Sequence, residues 1–218
     1  MKYLFSFFLC FTPFLTFAQF TVGMQAGLNI STVATNEVSE FNLDLDDTYK
    51  SKVGYKVGLL AAYHAGEKLE IQSGLLYSLK GYLDDQTDGV DRLETNNNLH
   101  YLVVPVTLQR QIIRPLWLQG GIEAGYLVAS NSKSKFNDIK VEDPNDKDLW
   151  KKLDLALKAG LTWKVSDKIQ LNADYQWGIL NINQVVFTDI NGDPIEGDNP
   201  RSTNRVFSAS LSYNLFGS

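Results

Sequence analysis

The sequence predicts an all-β fold: an eight-stranded antiparallel transmembrane β-barrel with short periplasmic turns and long extracellular loops. Three observations carry that expectation. Eight segments alternate apolar and polar residues with period two, the signature of strands whose two faces meet different media. Most of these segments run 10–13 residues, where soluble strands average about 5–6 and a tilted span of the hydrocarbon core takes about 9–11. The connections alternate between three or four residues and roughly twenty. A bilayer accepts strands only as a closed barrel with every backbone group paired, and short turns on one side with long loops on the other are how such barrels are built.

Residues 1–18 read as a cleaved signal peptide. Lys2 supplies the early charge, an apolar stretch broken by Pro13 follows, and Thr16-Phe17-Ala18 places small residues before Gln19. The stretch is short for a spanning helix of about 20 residues. Cys10, the only cysteine, follows Phe7-Phe8-Leu9 and lacks the small residue expected before a lipidated cysteine. Residues 19–218 then form one domain without disulfides or thiolate chemistry, although export would allow disulfides.

The first strand, 20–31, sets Val22, Met24, Leu28 and Ile30 against Thr21, Gln25 and Asn29. Segment 53–64 sets Val53, Tyr55, Val57 and Leu59 against Lys56 and Gly58, and 69–80 sets Leu69, Ile71 and Leu75 against Glu70, Gln72 and Lys80. Segment 100–112 is the least regular, because Tyr101, Val103 and Pro105 fall on the inward face. Proline donates no ladder hydrogen bond, so Pro105 predicts a bulge or a local gap. The second half alternates better: 116–129 with Trp117, Gln119 and Glu123 inward, 153–165 with Asp154, Lys158 and Lys164, 169–180 with Gln170, Asn172 and Asp174, and 206–215 with Ser208, Ser210 and Ser212. Aromatics near the segment ends, such as Tyr63, Tyr77, Tyr126, Trp163, Trp177 and Tyr213, suit interfacial belts.

The short connections are 65–68, 113–115 and 166–168; the long ones, near 32–52, 81–99, 130–152 and 181–205, are rich in Asp, Asn, Gly and Ser. Structureless loops of that length are uncommon in soluble domains. Here every second connection is one, which places both termini on the periplasmic side.

These residues resemble a known family. The signal ending Phe17-Ala18-Gln19, the first strand Val22-Gly23-Met24-Gln25-Ala26-Gly27-Leu28-Asn29-Ile30-Ser31, and Tyr101-Leu102-Val103-Val104-Pro105-Val106 are similar to the small outer-membrane β-barrel proteins of the Bacteroidetes described as PorT-like. The resemblance spans residues 19–218 and implies an eight-stranded outer-membrane barrel. It implies little about activity, since the family is defined mainly by architecture. One departure is that the chain continues past Phe216 to Gly217-Ser218, where such barrels often end on an aromatic residue.

The barrel interior is expected to hold Lys56, Glu70, Lys80, Arg110, Glu123, Asp154, Lys158, Lys164 and Asp174. Both signs are present, which predicts a paired network filling the lumen rather than a pore, because an isolated buried charge is costly. Catalysis would need a nucleophile with histidine and an acid. Only His64 and His100 exist; His64 falls at a short turn, and His100 sits near a loop where Ser78 or Ser130 could meet it. No Gly-x-Ser-x-Gly elbow is present. The run 189–193, and the groups Asp44, Asp46, Asp47 and Asp84, Asp85, Asp88, carry oxygen ligands without an EF-hand's spacing, so no cofactor or specific metal is expected. The formal net charge of −5 and the lack of clustered Lys and Arg argue against nucleic acid.

The leading expectation is therefore a non-enzymatic barrel in the outer membrane of a Gram-negative cell. Its partners are outer-membrane lipid and, through four long acidic loops, extracellular or envelope proteins. A secreted soluble barrel holding a small apolar ligand, as lipocalins do, is the alternative; it would turn Lys56, Glu70, Asp154, Lys158 and Asp174 to solvent. An outer-membrane hydrolase using His100 is a third reading.

Overall fold

Each alternating segment becomes a strand, and each strand pairs antiparallel with its neighbours until the ring closes. The structure is a computed structural model that describes residues 19–35, 49–88, 91–136, 139–143, 149–184 and 201–216. Residues 1–18, the proposed signal peptide, lie outside the described residues, as do the acidic runs 44–47 and 189–193. The strands are β1 (Phe20–Thr35), β2 (Tyr49–Gly66), β3 (Leu69–Asp88), β4 (Asp91–Ile113), β5 (Leu116–Phe136), β6 (Ile139–Asp143), β7 (Leu153–Lys164), β8 (Ile169–Gly178) and β9 (Ser202–Phe216). Eight of them form the ring β4-β3-β2-β1-β9-β8-β7-β5, closed by the β4–β5 pairing, while β6 pairs only with the upper end of β5.

The ladders run well past the bilayer on the loop side, which corrects two of the long-loop expectations. The segment near 81–99 is mostly a hairpin, paired from Leu69↔Arg110 out to Asp88↔Asp91. Part of 130–152 likewise extends β5 and forms β6. The physical reason is that both strand faces carry polar side chains there. Pairs such as Thr95↔Ser134 and Asn97↔Ser132 carry the backbone ladder without any apolar alternation to reveal it. Pro105 does leave a gap: β3 and β4 pair at Ser73↔Val106 and again at Leu76↔Val103, with no pairing between. The β4–β5 side stays continuous through Pro105↔Glu123.

The two faces are chemically opposite. Outward stand large apolar side chains, among them Leu28, Val53, Leu59, Leu75, Leu157 and Leu161, all exposed. An all-round apolar surface of this kind has no place in water. Two aromatic rings border it: Phe20, Tyr63, Trp163 and Tyr213 toward the short turns, and Tyr55, Tyr77, Tyr126, Tyr175 and Trp177 toward the loops. From Leu116, opposite Trp163, to Tyr126 along β5 the rise is about 33 Å at ~3.3 Å per residue, or about 25 Å in height at a ~40° tilt. That matches the apolar band of an outer-membrane barrel, about 25 Å tall. Lys56, Glu70, Asp154, Lys158 and Asp174 are all buried on the inner side, opposite to what a soluble ligand-carrying barrel requires.

Eight strands leave a lumen just wide enough to be filled by side chains, and small residues make the room. Gly160 pairs with Asp174, and a Cβ there would come 2.7 Å from the Asp174 Cα. At Gly81 (φ +144°) the chain twists so that Lys80 and Tyr82 on either side are both buried. Only glycine adopts that conformation without strain.

Candidate functional site

Among the described residues buried charged side chains concentrate in the lumen, where they are arranged in tiers from turns to loops. At the turn-side mouth Glu70 stands at the start of β3 and is fully buried. Its Oε2 accepts from Lys164 Nζ at 2.5 Å and lies 3.3 Å from His64 Nδ1. The other ring nitrogen of His64 is 2.9 Å from Thr21 Oγ1, and Lys164 sits 3.9 Å from the centroid of the Trp117 ring. These groups line a cavity of about 520 Å³ that opens between the turns.

The Thr21–His64–Glu70 row has the order of a hydroxyl, a base and an acid. Its surroundings are those of a structural tie. The Thr21 residue is 5% exposed beneath the imidazole, and the carboxylate oxygen that would orient the ring is shared with Lys164. The cluster anchors the ends of β1, β2, β3 and β7 to one another.

Midway up, Asp174 on β8 takes Lys56 of β2 at 3.1 Å on one oxygen and Lys158 of β7 at 3.4 Å on the other, and Gln176 donates to it at 3.3 Å. Above it, Lys80 of β3 reaches Glu123 of β5 at 3.1 Å and Asp154 of β7 at 3.2 Å. Asn204 donates to the same Asp154 oxygen at 2.9 Å, and Lys80 lies 5.4 Å from the Tyr101 ring centroid. Four lysines thus face four carboxylates across the lumen, and the tiers carry no net charge. Ion pairs buried this deeply add little over an apolar filling, but removing one partner is costly.

Eight of the nine expected interior charges occupy these tiers; Arg110 does not. It is exposed, because β4 turns Tyr101, Val103, Thr107 and Gln109 inward, and an even-numbered residue of that strand faces out. At the turn end of β4, opposite Leu69, its long side chain meets the polar edge of the bilayer.

Uncharged groups complete the network. Asn29 donates to Ser78 at 3.0 Å and accepts from Ser208 at 2.9 Å, while Gln109 donates to Gln72 at 3.1 Å. Counting charges overlooks these amides, although their position on the polar face of each strand marks them. His100 is on the outer side, where its Nδ1 contacts the Tyr77 hydroxyl and its Nε2 lies 3.3 Å from Asn131 Nδ2. Ser78 and Ser130 are buried in the lumen, so the serine–histidine meeting considered for the loop side does not form. Among the described residues no group of three His, Cys, Asp or Glu side chains is placed to hold a metal ion.

Over the charged tiers lies an apolar cluster of Val33, Tyr82, Leu99, Leu127, Trp150 and Ile182, all buried. Trp150 and Ile182 come from outside the strands. A bridge pairs Trp150 with Asn183, Lys151 N–H donates to the Ile182 carbonyl at 2.8 Å, and Ile182 N–H donates to Ser202 at 2.9 Å. Trp150 packs edge-on against Tyr82. Period-two reading overlooks both residues, since they lie in connections outside the sustained alternation of the strands.

A family model described as outer membrane protein beta-barrel domain matches residues 17–184. A search of curated proteins finds no match. Among solved structures the chain is similar to Neisserial surface protein A, with a TM-score of 0.51 and 13% identity over 89% of this chain and 97% of that one. It is also similar to Ail, the attachment invasion locus protein of Yersinia pestis (TM-score 0.44, 15% identity, 89% and 98% covered). The outer membrane protease OmpT of Escherichia coli is a further neighbour (TM-score 0.43, 7% identity, 89% and 97% covered). At these identities the likeness concerns the fold alone.

Proposed function

Because the chain belongs to the outer membrane protein beta-barrel domain family, we propose that it is a non-enzymatic outer-membrane barrel with a closed lumen that engages partners through its extracellular loops. The observation that supports this reading is the pairing across the lumen: four lysines with four carboxylates, beneath the apolar cluster around Trp150 and Ile182. A lumen whose charges hold its own walls together leaves the loop-side hairpins and connections, with their Asp, Asn and Ser side chains, as the surface for recognition. The first-strand and Tyr101–Val106 patterns support membership of the PorT-like group of the Bacteroidetes. The pattern of residues 1–18 supports export with cleavage after Ala18. On this reading its partners are outer-membrane lipid and, through the loops, extracellular or envelope proteins, and it needs no cofactor or nucleic acid.

The test places photo-crosslinking residues at loop positions 44 and 189 and at turn positions Lys68 and Asp167, in cells. Crosslinks to envelope or extracellular proteins are expected from the loop positions and not from the turns. Equal yield from both sets, or stepwise conductance by the purified barrel in a planar bilayer, would overturn the reading.

A further inference from the structure

The short-turn end of the barrel encloses a space that the ion pairs do not fill. The cavity of about 520 Å³ has Glu70 of β3 and Glu67 of the β2–β3 turn on one wall, and Gln170 of β8 and Asp167 of the β7–β8 turn on another. In the ring of eight, β3 and β8 stand four places apart, so these walls face each other. Leu60, Ala62 and Trp117, all buried, give the space an apolar flank. Its inner end is crossed by hydrogen bonds: Gln25 to Ser212 at 3.2 Å, Asn172 to Ser212 at 3.0 Å and Gln109 to Gln72 at 3.1 Å. The cavity is thus a pocket open between the turns and not a passage.

Each wall carries a buried acceptor without a donor. Glu70 Oε2 takes Lys164 and His64, but Oε1 accepts no hydrogen bond from the described residues. Oε1 of Gln170, a residue 4% exposed, is in the same condition. A buried acceptor left unpaired costs free energy that an incoming N–H group recovers. His64 and Lys164, the side chains in contact with Glu70, are 30% and 20% exposed, so the carboxylate lies one side chain behind the cavity surface. Lys164 also measures the distance between the walls. It pairs in register with Gln170, and its ammonium reaches Glu70 across the lumen at 2.5 Å. The gap is about one lysine side chain long.

We propose that this pocket binds a small aliphatic diamine lying alongside Lys164. One ammonium donates to Glu70 Oε1, with the His64 ring turned aside, and the other donates to Gln170 Oε1. The methylenes lie against Leu60, Ala62 and Trp117. Length sets the selectivity, because a diamine shorter than the lysine side chain satisfies one wall only, as does a monoamine. A metal ion is disfavoured: Glu67 and Asp167 are exposed on the turns, and Glu70, the buried carboxylate of the lining, already commits one oxygen to Lys164. The pocket's chemistry is independent of which compartment the turns face.

The test is equilibrium dialysis of radiolabelled pentane-1,5-diamine against the folded full-length barrel in zwitterionic micelles, with ethylenediamine, pentylamine and calcium as competitors. The diamine should bind at one saturable site, at least about ten-fold tighter than ethylenediamine or pentylamine, the worth of one charge-assisted hydrogen bond. Gln170→Leu should weaken pentane-1,5-diamine about ten-fold and leave pentylamine unchanged. Lys50→Gln on the loop-side rim should change neither. Equal binding of pentane-1,5-diamine and pentylamine by the wild-type chain overturns the proposal without recourse to any variant, as does the lack of a saturable site. Equal losses of both amines in Gln170→Leu overturn the assignment of the second ammonium, and full displacement by calcium marks a metal site instead. None of these outcomes bears on whether the loops bind proteins.

Discussion

Lys80→Met is the most informative single change. Lys80 is 1% exposed and is the cation shared by Glu123 and Asp154, whose side chains are themselves 2% and 1% exposed. Methionine fills much of the same volume but removes the charge, leaving two buried carboxylates, of which only Asp154 keeps a named donor, Asn204. Breaking a buried ionic cluster by deleting one partner costs about 3–5 kcal/mol. With a urea dependence of about 2 kcal/mol per molar, the unfolding midpoint should fall by about 2 M. The assay is equilibrium unfolding in lipid vesicles, followed by tryptophan fluorescence. The triple variant Lys80→Met, Glu123→Gln, Asp154→Asn should recover to within about 1 kcal/mol of the wild type, because a neutral filling replaces the whole cluster. A loss under about 1 kcal/mol in the single variant, or a triple variant no better than the single, would refute the view of the lumen as a balanced network.

Three further outcomes follow from the same geometry. Gly81→Ala places a Cβ against the Asn97 carbonyl oxygen at φ +144° and should cost about 1–3 kcal/mol in the same unfolding assay; a neutral result would mean that β3 does not twist there. Trp150→Ala should lose about 3 kcal/mol by emptying the centre of the apolar cap, and a loss under about 1 kcal/mol would show that the cap is not packed. Lys52 lies three residues beyond Tyr55, on the loop side of the aromatic ring and so outside the spanning part of β2. Burial first, and Lys133 second, lower its pKa from 10.5 to about 8. The folded state then gives up its proton before the unfolded chain does, so this group contributes stability that rises with pH between about 8 and 10.5. Lys133→Gln should move the Lys52 midpoint upward in a side-chain nitrogen NMR titration, and a wild-type midpoint near 10.5 would contradict the placement.

Within the bilayer the fold was legible because the medium imposes it: lipid outside and a polar lumen inside force Leu157, Ala159 and Leu161 to one side and Lys158, Gly160 and Thr162 to the other. Above the bilayer that contrast disappears, and the paired extensions Asp84↔Thr95 and Thr95↔Ser134 carry no hydropathic mark. Arg110 was misplaced for a related reason. At a strand end either face meets water, so a charge there says nothing about direction; the inward run Tyr101, Val103, Pro105 sets the parity instead. The partners of the interior charges were not readable at all. That Lys80 joins Glu123 and Asp154 depends on the stagger of three strands and on the Gly81 twist, which no local pattern records. The Trp150–Ile182 cap depends on a bridge between two connections distant in sequence.

The central claim is the orientation of the two faces in a lipid bilayer. Cys10 is the only cysteine, and it precedes the proposed cleavage point, so single cysteines introduced at 155 through 162 on β7 can each carry one spin label. Measured in vesicles, collision rates with oxygen should peak at 155, 157, 159 and 161 and fall at 156, 158, 160 and 162 with period two, with little access by a polar nickel reagent at the first set. Nickel access at Leu157, Ala159 and Leu161, with oxygen favouring the positions of Lys158 and Thr162, would turn the barrel inside out and contradict the account.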